Sequence, residues 1–388
     1  MNLSNTVILP GQTIGIIGGG QLGRMMALAA KPMGYRVAVL DPDIDSPCGQ
    51  VADHRIIGSY NDLDAIKNLA KVSDVITYEF ENIDSSALEW LCDHANVPQG
   101  TALLEISQDR IKEKKAIQKA GAEVAPFAII TKIDEIYDNM ERLGFPAVLK
   151  TSRGGYDGKG QQVIRNEQDL VKATELLHQG PCVLEKWVSF KKEISIILTR
   201  NTNGETSVFP VAENIHIDNI LHQTIVPARI SNSVEEKAIQ YAKQLAESFQ
   251  LVGTLAVEMF LTDKDEIYIN ELAPRPHNSG HYTIEACETS QFEQHIRAVC
   301  HLPFGNTALL KPAVMVNILG EHQSKILEMW SKLSDWKVHF YGKKEPKQKR
   351  KMGHVTILHD STDAAMEEAI NSRVWESDIE KLTLGEKR

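Results

Sequence analysis

Polar and apolar positions along the chain fall into three textures. Near the N-terminus, Thr13 to Ile17 is a short apolar run ending in Gly18-Gly19-Gly20-Gln21-Leu22-Gly23-Arg24. Met25 to Lys31 then reads as helix and Arg36 to Leu40 as a second buried strand, which is how a parallel sheet opens. Val75 to Thr77 is a later strand running into Tyr78-Glu79-Phe80-Glu81-Asn82. Its carboxylates therefore stand at a strand C-terminus, where open α/β sheets bind ligands.

From about Ser107 the pattern changes to a charged helix through Lys119, a strand at Pro146 to Lys150, a glycine-rich stretch, and strands near Val183 to Lys186 and Glu193 to Thr199. That is the texture of a separate α+β unit. Ser233 and Glu236 have capping-box spacing, and Val234, Ala238, Tyr241, Leu245 and Phe249 recur behind them at helical intervals as a core stripe. After about Pro303, strand-like runs at Ala313 to Ile318, Val338 to Tyr341 and His354 to Leu358 alternate with helices. The expected organisation is an N-terminal Rossmann-like domain (1–106), a central domain (107–305) and a small C-terminal domain (306–388), of α/β and α+β class.

A chain of 388 residues exceeds what one core usually supports, and clefts between domains are where small ligands bind. The net charge of -10 argues against nucleic-acid or anionic-membrane partners. Five scattered cysteines without a CxxC pair suit free thiols in a reducing cytoplasm. The N-terminal stretch lacks a basic region and is broken by Pro10 and Gly11, so neither a signal peptide nor a membrane span is expected.

Three segments carry candidate chemistry. Gly18-x-Gly20-x-x-Gly23, followed by Asp41 at the end of the next strand, has dinucleotide-fingerprint spacing. A nicotinamide cofactor, a substrate phosphate or ribose, and a structural tight turn all remain open for it. The second segment begins at Lys150 and continues through Arg153-Gly154-Gly155-Tyr156-Asp157-Gly158-Lys159-Gly160-Gln161. It offers backbone donors and cations to a polyphosphate without P-loop spacing.

The third is a hairpin. Leu255 to Leu261 alternates, Asp263 to Glu266 turns, and Ile267 to Leu272 returns. If Thr262 pairs with Ile267, Glu258 faces Glu271 across roughly 5 Å. Two such carboxylates repel unless a cation intervenes, and hard oxygen ligands with Asn270 beside them suit Mg²⁺ carried by ATP phosphates. Immediately beyond, Ala273-Pro274-Arg275-Pro276-His277-Asn278 offers a planar guanidinium for a carboxylate or bicarbonate and an imidazole beside it. A basic run, Lys343 to Lys351, is either a solvated loop or a phosphate clamp.

Together these segments resemble the ATP-grasp enzymes, and within them the N5-carboxyaminoimidazole ribonucleotide synthetases. The resemblance runs through GGGQLGRM (Gly18 to Met25), FEN (Phe80 to Asn82), GGYDGKGQ (Gly154 to Gln161), NELAPRPHNSGHYT (Asn270 to Thr283), SQFEQHIRA (Ser290 to Ala298) and RKMGHV (Arg350 to Val355). The central and N-terminal units would then be an ATP-grasp domain and its pre-ATP-grasp partner.

The resemblance implies that ATP is held by Arg110, Lys150, Gly155, Tyr156, Asp157, Gly158, Lys159, Gly160 and Gln161. It adds Glu185, Lys186, Trp187, Val188, Glu193 and His216, with Asn270 and Glu271 at the triphosphate. Glu258 and Glu271 would bind Mg²⁺, or Mn²⁺ in its place. Arg275, His277 and Asn278 would hold bicarbonate or carboxyphosphate, with Asp157 orienting or deprotonating the substrate amine. Gln21, Glu79, Tyr156, Asp157, Lys343 and Arg350 would surround 5-aminoimidazole ribonucleotide. One departure is visible: the family tends to show Arg-Pro-Gly where this chain has Lys347-Gln348-Lys349.

The implied reaction is ATP-dependent carboxylation of that ribonucleotide with bicarbonate in purine biosynthesis, by a cytoplasmic homodimer with small-molecule substrates only. Competing readings are a formate-dependent glycinamide ribonucleotide transformylase of the same fold, a nicotinamide dehydrogenase, and a nucleotide-binding protein without catalysis.

Overall fold

The computed structural model describes residues 6–155 and 158–383, apart from the side chains of Ser85, Leu382 and Thr383. Tyr156 and Asp157 lie outside the described residues.

The N-terminal sheet contains β1 (Thr13–Ile17), β2 (Arg36–Asp41), β3 (His54–Ile57) and β4 (Val75–Tyr78) in the order β3-β2-β1-β4, all parallel. Helices α1 (Gln21–Ala30), α2 (Leu63–Val72) and α3 (Ser85–His94) surround it. Every residue of β1 is buried, as expected for a parallel strand covered on both faces. The first helix begins at Gln21, earlier than its apolar run suggests, because the glycine turn feeds directly into it. The charged stretch beyond Ser107 is the single helix α5 (Arg110–Lys119), preceded by the short α4 (Ala102–Ser107). Asp109 separates them by accepting from the N–H groups of Ile111 and Lys112 at 3.0 and 3.3 Å.

The second sheet is antiparallel, with β5 (Phe127–Ile130), β6 (Ala147–Thr151), β7 (Gln161–Ile164) and β8 (Cys182–Lys186) in the order β5-β8-β6-β7. It is backed by α6 (Ile133–Leu143) and α7 (Glu167–Thr174). The glycine-rich segment connects β6 to β7, and its base is set by Lys150 opposite Gln161.

The third sheet has nine strands: β9 (Lys192–Arg200), β10 (Thr206–Val208), β11 (Ala212–Ile217), β12 (Ile220–Val226), β13 (Gly253–Leu261), β14 (Ile267–Ala273), β15 (Ala313–Leu319), β16 (Lys337–Phe340) and β17 (Lys351–Leu358). Its order is β14-β13-β9-β11-β12-β15-β17-β16, with β10 alongside β9. The C-terminal strands therefore continue the central sheet through the β12–β15 pairing. Backbone hydrogen bonds, not a linker alone, join the two segments.

Helix α8 (Asn232–Ser248) packs Val234, Ala238, Tyr241 and Leu245 against Ile194, Ile196 and Leu198 of β9. Strand alternation leaves Ser195 on the opposite face. The capping box expected at Ser233 and Glu236 is not formed, because the chain enters the helix earlier. Ser231 is the N-cap, with no side-chain cap bond, and Ser233 already lies inside the helix.

Beyond the short α9 (Thr283–Ala286), α10 (Gln291–Val299) buries Phe292, Ile296 and Val299 among Met25, Met26 and Ala30 of α1. The SQFEQHIRA motif is thus the weld between the N-terminal domain and the central sheet. Helices α11 (Gln323–Met329), α12 (Thr362–Asn371) and α13 (Glu376–Thr383) complete the C-terminal segment.

Candidate active site

A cavity of about 820 Å³ opens where the three sheets meet. Its carboxylate wall is the β13–β14 hairpin. Leu261, not Thr262, pairs with Ile267, and that register alone would place Glu258 against Asn270. A bulge between Glu258 and Met259 makes Asn270 the extra residue and brings Glu271 opposite Glu258. The expected pair is therefore formed by a different register. Helix α5 and its following loop hold the bulge: Leu272 N–H donates to Glu113 Oε1 at 2.8 Å and Ile269 N–H to the Glu123 carbonyl at 2.7 Å. Burial, and next the charge of Glu271, push the Glu113 carboxyl up from its ordinary value.

Facing this wall is a cationic floor. Glu185 on β8 accepts from Lys150 at 3.3 Å and pairs with Lys114 of α5 at 3.2 Å. Burial pushes the Glu185 carboxyl up, but Lys114 and Lys150 outweigh it and hold it below the usual range. Burial lowers Lys150, an effect that Glu185 only partly offsets. Arg110 reaches over the loop, donating to the carbonyls of Thr151 and Gly155 at 2.9 Å each. Gly158 has φ +80 and a Cβ there would meet Asn219 of the β11–β12 turn at 2.6 Å, so only glycine fits where loop and turn touch. His216 lines the cavity and is oriented by Glu193 at 3.1 Å.

The first glycine motif binds an anion that the chain itself supplies. Glu79, at the end of β4, accepts from the N–H groups of Gly20 and, at 2.9 Å, Gly23. A Cβ at Gly20 would lie 2.5 Å from that carboxylate. Asp41 is likewise consumed, accepting from Gly19 N–H at 2.7 Å and the Tyr60 hydroxyl at 2.6 Å. The helix N-terminus and the acidic residue that a dinucleotide would need are both occupied, which removes the basis of the dehydrogenase reading.

On the loop beyond the hairpin, Arg275 pairs with Glu81 at 2.6 Å and also donates to the Pro276 carbonyl at 3.1 Å. His277 Nε2 lies 3.4 Å from Glu258 Oε1, and its Nδ1 contacts the Ser279 hydroxyl at 2.9 Å. Burial, then the charges of Arg275 and Lys351, hold this imidazole well below its ordinary pKa, so it is neutral near pH 7. Asn278 exchanges two amide hydrogen bonds with Asn317, at 2.8 and 3.0 Å.

Of the residues singled out from sequence, Gln21, Glu79, Arg110, Lys150, Gly155, Gly158, Lys159 and Gln161 line this cavity. So do Glu185, His216, Glu258, Asn270, Glu271, Arg275, His277 and Asn278. Gly160, Lys186, Trp187, Val188 and Glu193 are not among the residues that line it. The N–H groups of Lys186 and Trp187 are engaged by the carbonyls of Pro126 and Pro146 at 2.8 and 3.1 Å.

Lys343 donates to the Lys351 carbonyl at 2.9 Å and Arg350 to that of Glu345 at 3.0 Å; Lys351 is the cation of that run that lines the cavity. Sequence reasoning missed Glu113 and Lys114, and it named Lys351 only as the end of the basic run. On a helix as charged as α5, nothing in the spacing separates a buried glutamate and lysine from solvated ones. Glu81 was part of a quoted motif but received no role.

Three family models match successive parts of the chain. Residues 11–108 match the ribonucleotide synthetase preATP-grasp domain, 115–292 the ATP-grasp domain, and 313–368 the phosphoribosylaminoimidazole carboxylase C-terminal domain. The chain is 58% identical over 369 residues to an N5-carboxyaminoimidazole ribonucleotide synthase of Bacillus subtilis, covering 95% of this chain and 97% of that one. A Staphylococcus aureus protein of the same name is 47% identical over 349 residues, 90% of this chain and 93% of its own. Among solved structures, an ADP complex of an N5-carboxyaminoimidazole ribonucleotide synthetase superposes with TM-score 0.94 at 59% identity, covering 96% and 99% of the two chains. An Aspergillus clavatus N5-carboxyaminoimidazole synthase in complex with ADP and 5-aminoimidazole ribonucleotide has TM-score 0.87 at 31% identity, covering 93% and 97%.

Proposed function

This chain belongs to the N5-carboxyaminoimidazole ribonucleotide synthetases of the ATP-grasp fold, and from that membership we propose how its own residues divide the reaction. The enzyme is an ATP-dependent carbon–nitrogen ligase that carboxylates 5-aminoimidazole ribonucleotide to N5-carboxyaminoimidazole ribonucleotide in purine biosynthesis. The observation that supports the division of labour is the placement of the Glu258–Glu271 pair in one cavity with Lys150, Arg275 and the glycine-rich loop.

ATP would lie between the second and third sheets. Lys150 and Lys114 neutralise its phosphates, Arg110 braces the loop above them, and the carbonyls of Lys186 and Trp187 with Val188 remain for the adenine edge. Two opposed carboxylates with an amide oxygen beside them fit Mg²⁺ or Mn²⁺. Glu258, Glu271 and Asn270 would hold that ion, which when bound offsets charge on the phosphoryl oxygens.

Bicarbonate is a poor electrophile until phosphorylated. Arg275, its guanidinium steadied by Glu81, would hold it in line with the transferred phosphoryl group, and neutral His277 would donate to the carboxyphosphate formed. The substrate amine then takes the carboxyl carbon and phosphate leaves. Asp157 is our candidate to receive the amine proton, and Tyr156, Gln21, Glu79, Lys343 and Arg350 to hold the ribonucleotide. Loop closure would exclude the water that otherwise hydrolyses carboxyphosphate.

The five free thiols suit a reducing cytoplasm, and a homodimer is the expected assembly, which light scattering checks. No described helix is long and apolar enough to cross a membrane. The reaction is tested by phosphate release with ribonucleotide, bicarbonate, glycinamide ribonucleotide and formate omitted in turn. Dependence on formate and glycinamide ribonucleotide would replace this reading with the transformylase.

A further inference from the structure

A row of polar side chains crosses the third sheet beneath the carboxylate pair. Glu258 on β13 stands opposite both Glu271 on β14 and Ser195 on β9, and Asn214 on β11 stands opposite Thr224 on β12. Ser195 pairs with Ala212, two residues from Asn214, so strand alternation puts Ser195 and Asn214 on the same face.

Three of these side chains and Ser279 are sealed from solvent: Ser195 is 1% exposed, Asn214 6%, Thr224 0% and Ser279 0%. Buried hydroxyls and amides are costly unless satisfied, and these satisfy one another in a fixed direction. The Thr224 hydroxyl donates to Asn214 Oδ1 at 2.9 Å, Asn214 Nδ2 to Ser195 Oγ at 2.8 Å, and Ser195 to Ser279 Oγ at 2.9 Å.

Having accepted from Ser195, the Ser279 hydroxyl still has its proton to offer His277 Nδ1, 2.9 Å away. The Ser279 backbone N–H points at the same nitrogen from 3.3 Å. A backbone N–H can only donate, so Nδ1 is the acceptor and the neutral ring carries its proton on Nε2, the atom facing Glu258.

We propose that Ser195 and Ser279 are positioning residues for the carboxylation, because the polar row through them holds His277 in the Nε2–H form. This rests on the reading of the cavity as the carboxylation site. In that form the imidazole donates toward Glu258 and the cavity. In the other tautomer it would turn a lone pair on a carboxylate that must stay opposed to Glu271. Partners of this kind, one bond removed from a functional side chain, are usually worth about 10- to 100-fold in activity.

The test uses the full-length, ligand-free protein labelled with ¹⁵N-histidine. Long-range ¹⁵N–¹H correlation reads the tautomer, and the His277 signals are identified by their loss in His277→Gln. The parent should show a protonated Nε2 and a bare Nδ1. Ser279→Ala keeps only the longer, 3.3 Å backbone donor to Nδ1, so it should show a mixture of tautomers and a turnover to carboxylated product lowered about 10-fold or more, with the ATP KM within about 2-fold. Ser195→Ala should move both readouts in the same direction, and Ser195→Thr, which keeps the hydroxyl, should restore them. Unchanged tautomer in both alanine variants overturns the proposal, as does a changed tautomer with unchanged turnover. A parent that shows the Nε2–H form but does not carboxylate the ribonucleotide would instead overturn the functional reading and leave the tautomer assignment standing.

Discussion

Glu113 offers the sharpest check on how the carboxylate pair is built. It is 2% exposed, its Oε1 accepts the Leu272 N–H at 2.8 Å, and that N–H belongs to the strand segment displaced by the bulge at Asn270. Glu113→Ala leaves a buried N–H without an acceptor, which costs about 1–3 kcal/mol, and removes the pin that aims Glu271 at Glu258. Glu113→Gln keeps an oxygen for the same N–H and mimics the neutral form toward which burial and Glu271 already push that carboxyl, so it should retain the parent's stability.

If about 1.4 kcal/mol of the alanine cost is felt at the pair, Mg²⁺-dependent ADP binding weakens about tenfold. ADP binding without metal, which relies on Lys150, Lys114 and the loop, should change little. Calorimetric titration of ADP with and without Mg²⁺, alongside urea unfolding, separates these outcomes. An alanine variant that unfolds at the parental urea concentration and binds Mg²⁺–ADP with parental affinity would refute the role of Glu113 in shaping the site.

Three further outcomes are expected. Glu271→Gln keeps the shape of the wall but removes a charge from the pair, and steady-state turnover should fall by about 100-fold or more even at saturating Mg²⁺. Arg275→Lys keeps the charge but loses the planar fork and its 2.6 Å contact with Glu81. It should therefore raise the bicarbonate requirement and uncouple ATP hydrolysis from product, with equilibrium ATP binding little altered. Burial, then the nearby Arg350, lowers Lys343 to about 8. Its ammonium is present below that pH and lost above it, so kcat/KM for the ribonucleotide should fall as pH rises through about 8 while that for ATP does not; parallel profiles would remove Lys343 from the phosphate site.

What the sequence determined by itself is what depends on neighbours along the chain. The β1–turn–α1 opening, the glycine-rich β6–β7 connection and the β13–β14 hairpin follow from alternation, turn residues and glycine spacing, all readable within about twenty residues. The Arg275 loop joined them because it adjoins β14, and the resemblance carried by the long Asn270 motif supplied the chemistry.

Tertiary structure decided how those pieces are loaded. The bulge that sets Glu271 against Glu258 is held at Leu272 by a hydrogen bond to Glu113, more than 150 residues earlier. Glu79 fills the anion site of the glycine turn across a separation of 59 residues, and that contact, with the engagement of Asp41 by Gly19 and Tyr60, distinguishes the turn from a dinucleotide site. Lys114 became a buried partner of Glu185, and Glu81 of Arg275, although neither pair lies within one element. Periodicity records which face of an element is apolar. It does not record which charged group from another element will close over that face, and the free energy that selects such a partner arises only when folding removes both groups from water together.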